Sequence, residues 1–430
     1  MTESETHQAI EATFRIERAR LVAGLARLTR SIDLAEELAQ DALLAALVEW
    51  PKTGVPSKPG AWLMAVAKRR AIDALRRRAM RDRKHAEIAL TQNEAADGAL
   101  EIEAFLDDDI GDDLLGLIFT ACDPMLAAAA RAALTLRLVA GLTTHEIARA
   151  FLTSEATIAQ RLVRAKKAIA KAGLTFEPPR GAQRTARLPS VLEVIYLIFN
   201  EGYAATSGEE LTRPIVAGEA QRLGRLLAAL MPGESEVHGL LALMELQASR
   251  LMARTAPDGN PIPITNQDRA RWDRLLIEGG LQSLVRAERL AAEKSGVAGE
   301  GGFGPYLLQA EIAACHARAS RAEETDWARI AALYDRLREV TPSPVVELNR
   351  AIAHSMVFGP EAGLRLIDAI AADPALRAYA PLPAARGDFM MRAGRRAEAQ
   401  SQFRAAADLT RNAREKAFLL ARAAALDAVG

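Results

Sequence analysis

Charge in this chain is sorted along its length. From Lys68 to Lys84 nine lysines and arginines face only Asp73 and Asp82, and the following stretch, 85–113, holds ten acids and no Lys or Arg. Adjoining blocks of opposite sign do not pack into one apolar core; the basic block makes a solvated edge and the acidic block a solvated connection. The chain must therefore divide into separately packed units. Its 430 residues agree, exceeding what a single core of ordinary size accommodates.

Half the residues are hydrophobic but only 5% are aromatic. Ala, Leu, Arg and Glu dominate, which favours helices and deprives a sheet of the Val, Ile, Tyr and Phe it needs. The expected fold is all-α. The 55 basic and 55 acidic residues cancel, so the average charge argues against a nucleic-acid binder; the segregation of those charges removes that objection.

Cys122 and Cys315 lie far apart, without a second ligand at zinc-finger spacing, so neither a disulfide framework nor a metal site is expected, and no cofactor is implied. The first residues, MTESETHQAI, lack a basic start followed by an apolar run. The most apolar stretch, Val191 to Phe199, is short and interrupted by Glu193. These features point to a cytoplasmic protein with no membrane contact.

Four segments follow from breaks in the pattern: 1–84, an acidic linker at 85–113, 114–175, and 180–430. The linker, with TQNEAADG and DDDIGDD, lacks steady apolar periodicity. Gly173, the Pro178-Pro179 pair and Gly181 mark the last boundary, since none continues a helix.

Within 114–175, LTLRLVAGLTTHEIARAFLTSEATIAQRLVRAKKAI, from Leu134 to Ile169, has the layout of a helix-turn-helix. The spacing predicts a first helix over Thr144–Phe151, a turn at Leu152–Ser154, and a second helix capped by the Ser154 hydroxyl. Ile158, Leu162 and Ile169 share one face of that second helix. Thr157, Gln160, Arg161, Arg164 and Lys167 point elsewhere and make the other side cationic. Arg pairs bidentately with guanine and Gln with adenine, each worth about 1–3 kcal/mol of discrimination, while the remaining cations suit phosphates.

A second basic stretch, PGAWLMAVAKRRAIDALRRRAMRDRK, joins Trp62, Leu63 and Val66 to Lys68, Arg69, Arg70, Arg76, Arg77 and Arg78. Neutralising several phosphates makes binding steeply salt-dependent. Ile72 lies nearly opposite Leu63 on an ideal helix, which predicts a bend or two packing partners, and Trp62 reads as core rather than as a base platform. Before it, SIDLAEELAQDALLAALVEWP places Asp33, Glu37, Gln40 and Asp41 on a polar face beside Leu34, Leu38 and Leu44, with Ser31 or Asp33 opening the helix.

From Leu188 onward helices alternate with Pro and Gly turns. Near the end, Gly387, Ala399, Phe403 and Ala406 match the small, small, aromatic and small positions of a tetratricopeptide (TPR) hairpin, and Ala362, Leu366, Ala369 and Pro374, then Tyr334 with Pro342, echo it; the repeats span about 305–425. Asn200, Glu201, Gly202 and Tyr203 form the most site-like cluster of this part, although a helix ending at glycine beside a packed tyrosine accounts for them too. Glu311, Cys315 and His316 suggest a thiol site, against which a buried structural cysteine is the stronger reading.

Taken in order, these elements resemble regions 2 and 4 of bacterial sigma factors of the extracytoplasmic-function (ECF) class. By that resemblance DLAEELAQDALLAAL is the core RNA polymerase-binding face, with Asp33, Glu37, Gln40 and Asp41. AWLMAVAKRRAIDALRRR melts and reads the minus-10 element through Lys68, Arg69, Arg76 and Arg77. The helix-turn-helix reads the minus-35 element through Thr157, Gln160, Arg161, Arg164 and Lys167. Arg69 stands where Asn is common in that class, and Ala159 where Lys or Arg is, so base preferences do not carry over. Residues 180–430 resemble the extension of one ECF group, a helical, TPR-like domain with a protein or peptide ligand.

The resemblance implies a sigma factor that binds core polymerase and promoter DNA and performs no covalent chemistry, the linker threading near the polymerase active site. A helix-turn-helix regulator with a TPR sensor domain is the alternative, against which stand residues 14–84. An enzyme is a third reading, but no paired carboxylates, nucleophile–His pair or phosphate-binding glycine loop supports it.

Overall fold

A computed structural model describes residues 3–88, 110–204, 207–208, 210–295 and 302–427. The chain divides into two compact units at Val194/Ile195, inside one helix.

The first unit opens with α1 (Glu3–Thr29), α2 (Ile32–Thr53) and α3 (Pro59–Ile88). Ser31 starts α2 as expected, its hydroxyl accepting from the Leu34 amide at 3.3 Å, and Gly54 ends it with a positive φ of 84°. Ile32, Ala35, Leu38, Ala39, Ala42, Ala46 and Trp50 recur at three- and four-residue intervals and are buried. α3 packs against both α1 and α2 along Leu63, Ala67 and Ala71. Two partners therefore answer the broken apolar stripe, and Ile72 is left half-buried. Trp62 sets its edge against buried Trp50, with centroids 5.4 Å apart.

α3 continues to Ile88 and the next helix, α4 (Ile110–Ala121), begins at Ile110, so helix enters both ends of the acidic stretch. Residues 89–109, among them Asp107 to Asp109, lie outside the described residues. Then come α5 (Ala128–Leu138), α6 (Thr144–Ala150), α7 (Glu155–Ala172) and the start of α8 (Gly181–Tyr203). Gly116 of α4 meets the carbonyl of Phe176 so closely that any side chain there would collide with backbone.

The second unit takes the end of α8, then α9 (Pro214–Leu230), α10 (Ser235–Ala248), α11 (Arg274–Ser295), α12 (Pro305–Arg318), α13 (Trp327–Val340), α14 (Pro344–Phe358), α15 (Pro360–Ile370), α16 (Pro381–Arg392), α17 (Arg396–Leu409) and α18 (Ala413–Asp427). α10 is its axis: Leu240, Leu243, Met244 and Leu246 are buried on several sides, and α9, α11 and α12 surround it. From α13 onward consecutive helices pack as hairpins. Phe403 fills the space beside Gly387, and Ala399, Phe403 and Ala406 are fully buried. A two-residue parallel pair, β1 (Ser207–Gly208) with β2 (Arg411–Asn412), is a minor departure from an otherwise all-α architecture. The irregular stretch RTAPDGNPIPITNQD forms an antiparallel bridge, Thr255 to Pro261, and a short 3₁₀ turn, Ile264–Asn266; another, Arg269–Arg271, follows it. Among the described residues, no helix is long and apolar enough to cross a membrane.

Candidate nucleic-acid interface

Local sequence builds the helix-turn-helix. Thr143 and Glu146 form a capping box at the start of α6: the Glu146 amide donates to the Thr143 hydroxyl at 3.1 Å, and the Thr143 amide donates to the Glu146 carboxylate at 2.7 Å. Leu152 turns the chain with a φ of 44°. Ser154 then caps α7, accepting from the Thr157 amide at 3.1 Å, and Gly173 closes it in the left-handed conformation. Ile158, Leu162, Ala165 and Ile169 are buried, which fixes the roll of α7 about its axis.

That roll leaves Gln160, Arg164 and Lys167 exposed and Arg161 half-buried. Thr157 is half-buried and its hydroxyl bonds to that of Ser154 at 2.7 Å, so it belongs to the cap more than to the free surface. On α3, Arg69, Arg76 and Arg77 are exposed and Lys68 is half-buried; Arg77 Nε donates to the Asp73 carbonyl at 3.2 Å. Two helices thus present cations to solvent from one unit, as phosphate binding requires.

The acidic face of α2 is divided. Glu37 and Gln40 are exposed. Asp41 is taken by Arg70, whose Nη1 lies 3.3 Å from its carboxylate and 2.8 Å from its carbonyl. Asp33 is taken by Lys166 of α7 at 2.8 Å. Sequence reasoning missed the centre of this arrangement. Glu36, only 14% exposed, receives Arg18 at 2.9 Å, Arg137 at 3.1 Å and Lys166 at 2.6 Å. Burial opposes the charge of Lys166, yet the hydrogen bonds it donates to Asp33 and Glu36 outweigh it and hold its pKa above the ordinary lysine value. Burial and the neighbouring Arg137 lower Arg18 despite Glu36. Glu36 therefore ties α1, α5 and α7 to α2. Beside it a cleft of about 410 Å³ is lined by Arg30, Arg78, Lys166 and Asp33.

No group of three His, Cys, Asp or Glu side chains suited to a metal occurs among the described residues. Cys122 and Cys315 are free and buried. Burial pushes the Cys315 thiol up to about 11 and holds His316 down to about 3, so the thiol stays protonated and the imidazole neutral. That is the reverse of an activated pair.

Residues 14–81 match Sigma-70 region 2 and residues 119–169 match Sigma-70, region 4. Residues 187–288 match a family of unknown function, DUF6596. The chain is 41% identical over 407 residues to an uncharacterized protein of Rhizobium meliloti (strain 1021), covering 94% of this chain and 92% of that relative. No solved structure matches the chain.

Proposed function

Because the chain belongs to the sigma-70 family and serves promoter recognition, we propose that it is an ECF-class sigma factor that binds core RNA polymerase and reads both promoter elements. The observation that supports this most is the pairing of region 2 and region 4 in one unit, with 82–118 between the matched segments and exposed cations on a helix of each.

In this reading region 2 occupies 1–84, the acidic linker 85–113, region 4 114–175, and the extension 180–430. Gln160, Arg161, Arg164 and Lys167 of α7 enter the minus-35 major groove, with Thr157 at its edge. Lys68, Arg69, Arg76 and Arg77 of α3 engage the minus-10 element, where cations and pockets that capture extruded bases offset a few kcal/mol of unstacking. Glu37 and Gln40 are ready to meet polymerase. Asp33 and Asp41 join them only by exchanging Lys166 and Arg70 for the partner. The extension regulates or supports this activity through its TPR-like hairpins, whose concave side suits a protein or peptide.

The test mixes the purified chain with sigma-free core polymerase, follows comigration on a sizing column, and assays transcription from a genomic fragment library. Comigration with promoter-specific transcripts is expected. DNA binding without polymerase association overturns the reading in favour of a stand-alone regulator. Alanine at Arg164 should weaken minus-35 duplex binding and reduce its salt slope by about one phosphate contact.

A further inference from the structure

α8 carries Tyr196, Asn200 and Tyr203 at i, i+4 and i+7, on one face. The end of α10 and the turn after it set Gln247, Arg250 and Arg254 nearby. Arg250 Nη2 donates to the Tyr203 hydroxyl at 2.6 Å, and its guanidinium lies 5.8 Å from the Tyr203 ring and 5.7 Å from the Trp272 ring. The guanidinium of Arg254 lies 3.9 Å from the centroid of the Tyr203 ring. The Tyr196 hydroxyl donates to Gln309 Oε1 at 3.4 Å, with Asn200 and Gln247 also acting on it, and Tyr334 of α13 lies within electrostatic reach of both Tyr196 and Arg250.

Their surroundings are short of negative charge. Other half-buried arginines of this unit meet carboxylates: Arg350 reaches Asp335 at 2.5 Å, and Arg213 pairs with Glu201. Among the described residues neither Arg250 nor Arg254 forms a salt bridge, and the groups acting on Arg250 are tyrosines and Arg254. Among the described residues Arg254 Nε and Trp272 Nε1 are buried donors without acceptors, and Gln247 Oε1 is a buried acceptor without a donor. Cation–π contact offsets only part of the cost of desolvating a charge that has no counterion.

Tyr196, Arg250, Arg254 and Tyr334 are only half-buried, so solvent reaches them. Burial lowers the pKa of Arg250 and raises those of Tyr196 and Tyr334.

We propose that this cluster binds a small molecule through an oxyanion, a carboxylate or a phosphate, held between Arg250 and Arg254, with a hydroxyl or amine beside it donating to Gln247. The planar forks of the two arginines suit either oxyanion, and Trp272 Nε1 and Arg254 Nε supply donors that have no acceptor among the described residues. The site makes the extension a receptor for a small acid, beyond any contact with polymerase or DNA.

Calorimetric titration of the full-length chain with inorganic phosphate, and separately with lactate, at ionic strength held constant with sodium chloride, tests this without polymerase. Saturable binding of one probe is expected, and which one binds tells phosphate from carboxylate. Arg254→Gln should weaken it about ten-fold, the loss of one charge-assisted hydrogen bond. Should that variant fail to fold by circular dichroism, Arg254→Lys keeps the charge, loses the fork and should still weaken binding several-fold. No saturable heat from either probe, or unchanged affinity in a folded Arg254 variant, overturns the proposal.

Discussion

The two units treat partly buried arginine differently. In the first, Arg18 and Arg137 share Glu36, Arg27 reaches Asp113 at 2.7 Å, Arg131 reaches Glu193 at 3.0 Å, and Arg187 reaches Asp123 at 2.8 Å, while half-buried Arg184 donates to the Pro179 carbonyl and Arg161 meets no carboxylate among the described residues. In the second, many pairs follow the same rule, but Arg250 and Arg254 meet aromatic rings and a hydroxyl instead. A matched charge network satisfies itself and specifies how helices sit. An unmatched pair of cations is completed only from outside. The first pattern holds helices against one another; the second leaves two cations for the ligand proposed above.

The sharpest way to break this contrast is to remove the carboxylate that three cations share. Glu36→Ala leaves Arg18, Arg137 and Lys166 without it in a partly buried setting, and removing one partner of such a cluster costs about 3 kcal/mol. Hydrogen exchange of the full chain should show α2 and α7 losing protection by that amount while α10 and α12 keep theirs. Unchanged protection of α7 would mean that Glu36 does not hold the two helices together.

What was readable in the sequence follows from distance along the chain. The capping box at Thr143, the cap at Ser154 and the stripe Ile158, Leu162, Ile169 are local, so periodicity and turn chemistry disclose them. The contacts of Glu36 with Arg137 and Lys166 span 101 and 130 residues, and nothing in the surrounding helix distinguishes Glu36 from its exposed neighbour Glu37. Tyr203 belonged to a cluster legible as site-like. Its partners Arg250 and Arg254 sit 47 and 51 positions on, at the edge of a stretch that reads as irregular loop.

A smaller effect should come from acid, and it falls on the second unit. His316 packs edge-on against Trp327, centroids 5.2 Å apart, and burial, then Arg250 and Arg269, hold its pKa at about 3. The unfolded chain binds this proton near 6.5, the folded chain only near 3, so stability is full above 6.5 and falls as pH drops between those values. The thermal midpoint of the second unit should fall across that window, corresponding to a loss of stability on the order of 2 kcal/mol once solvent access to the partly exposed ring is allowed for. His316→Gln should flatten the decline, and an equally steep decline in that variant would assign it to other groups.

The smallest expected effect has the opposite sign. The Glu288 carboxyl lies against that of buried Glu311, whose Oε1 has no donor, and the shared hydrogen bond, then burial, raise Glu288 to about 7. Because the folded pKa lies above the unfolded one, this contact stabilises fully below about 4.5 and is lost as pH rises through about 7. Arg318, 3.5 Å from Glu311, moderates the repulsion that remains. Glu288→Gln supplies a permanent donor, so at pH 8 the variant should be more stable than the wild type by on the order of 1 kcal/mol, after allowing for solvent screening of partly exposed Glu288. Near pH 4.5 the two should coincide. Equal midpoints at pH 8 would show that Arg318 already balances this acid pair, placing it with the matched charges of the first unit and leaving Arg250 and Arg254 as the contrast between the two.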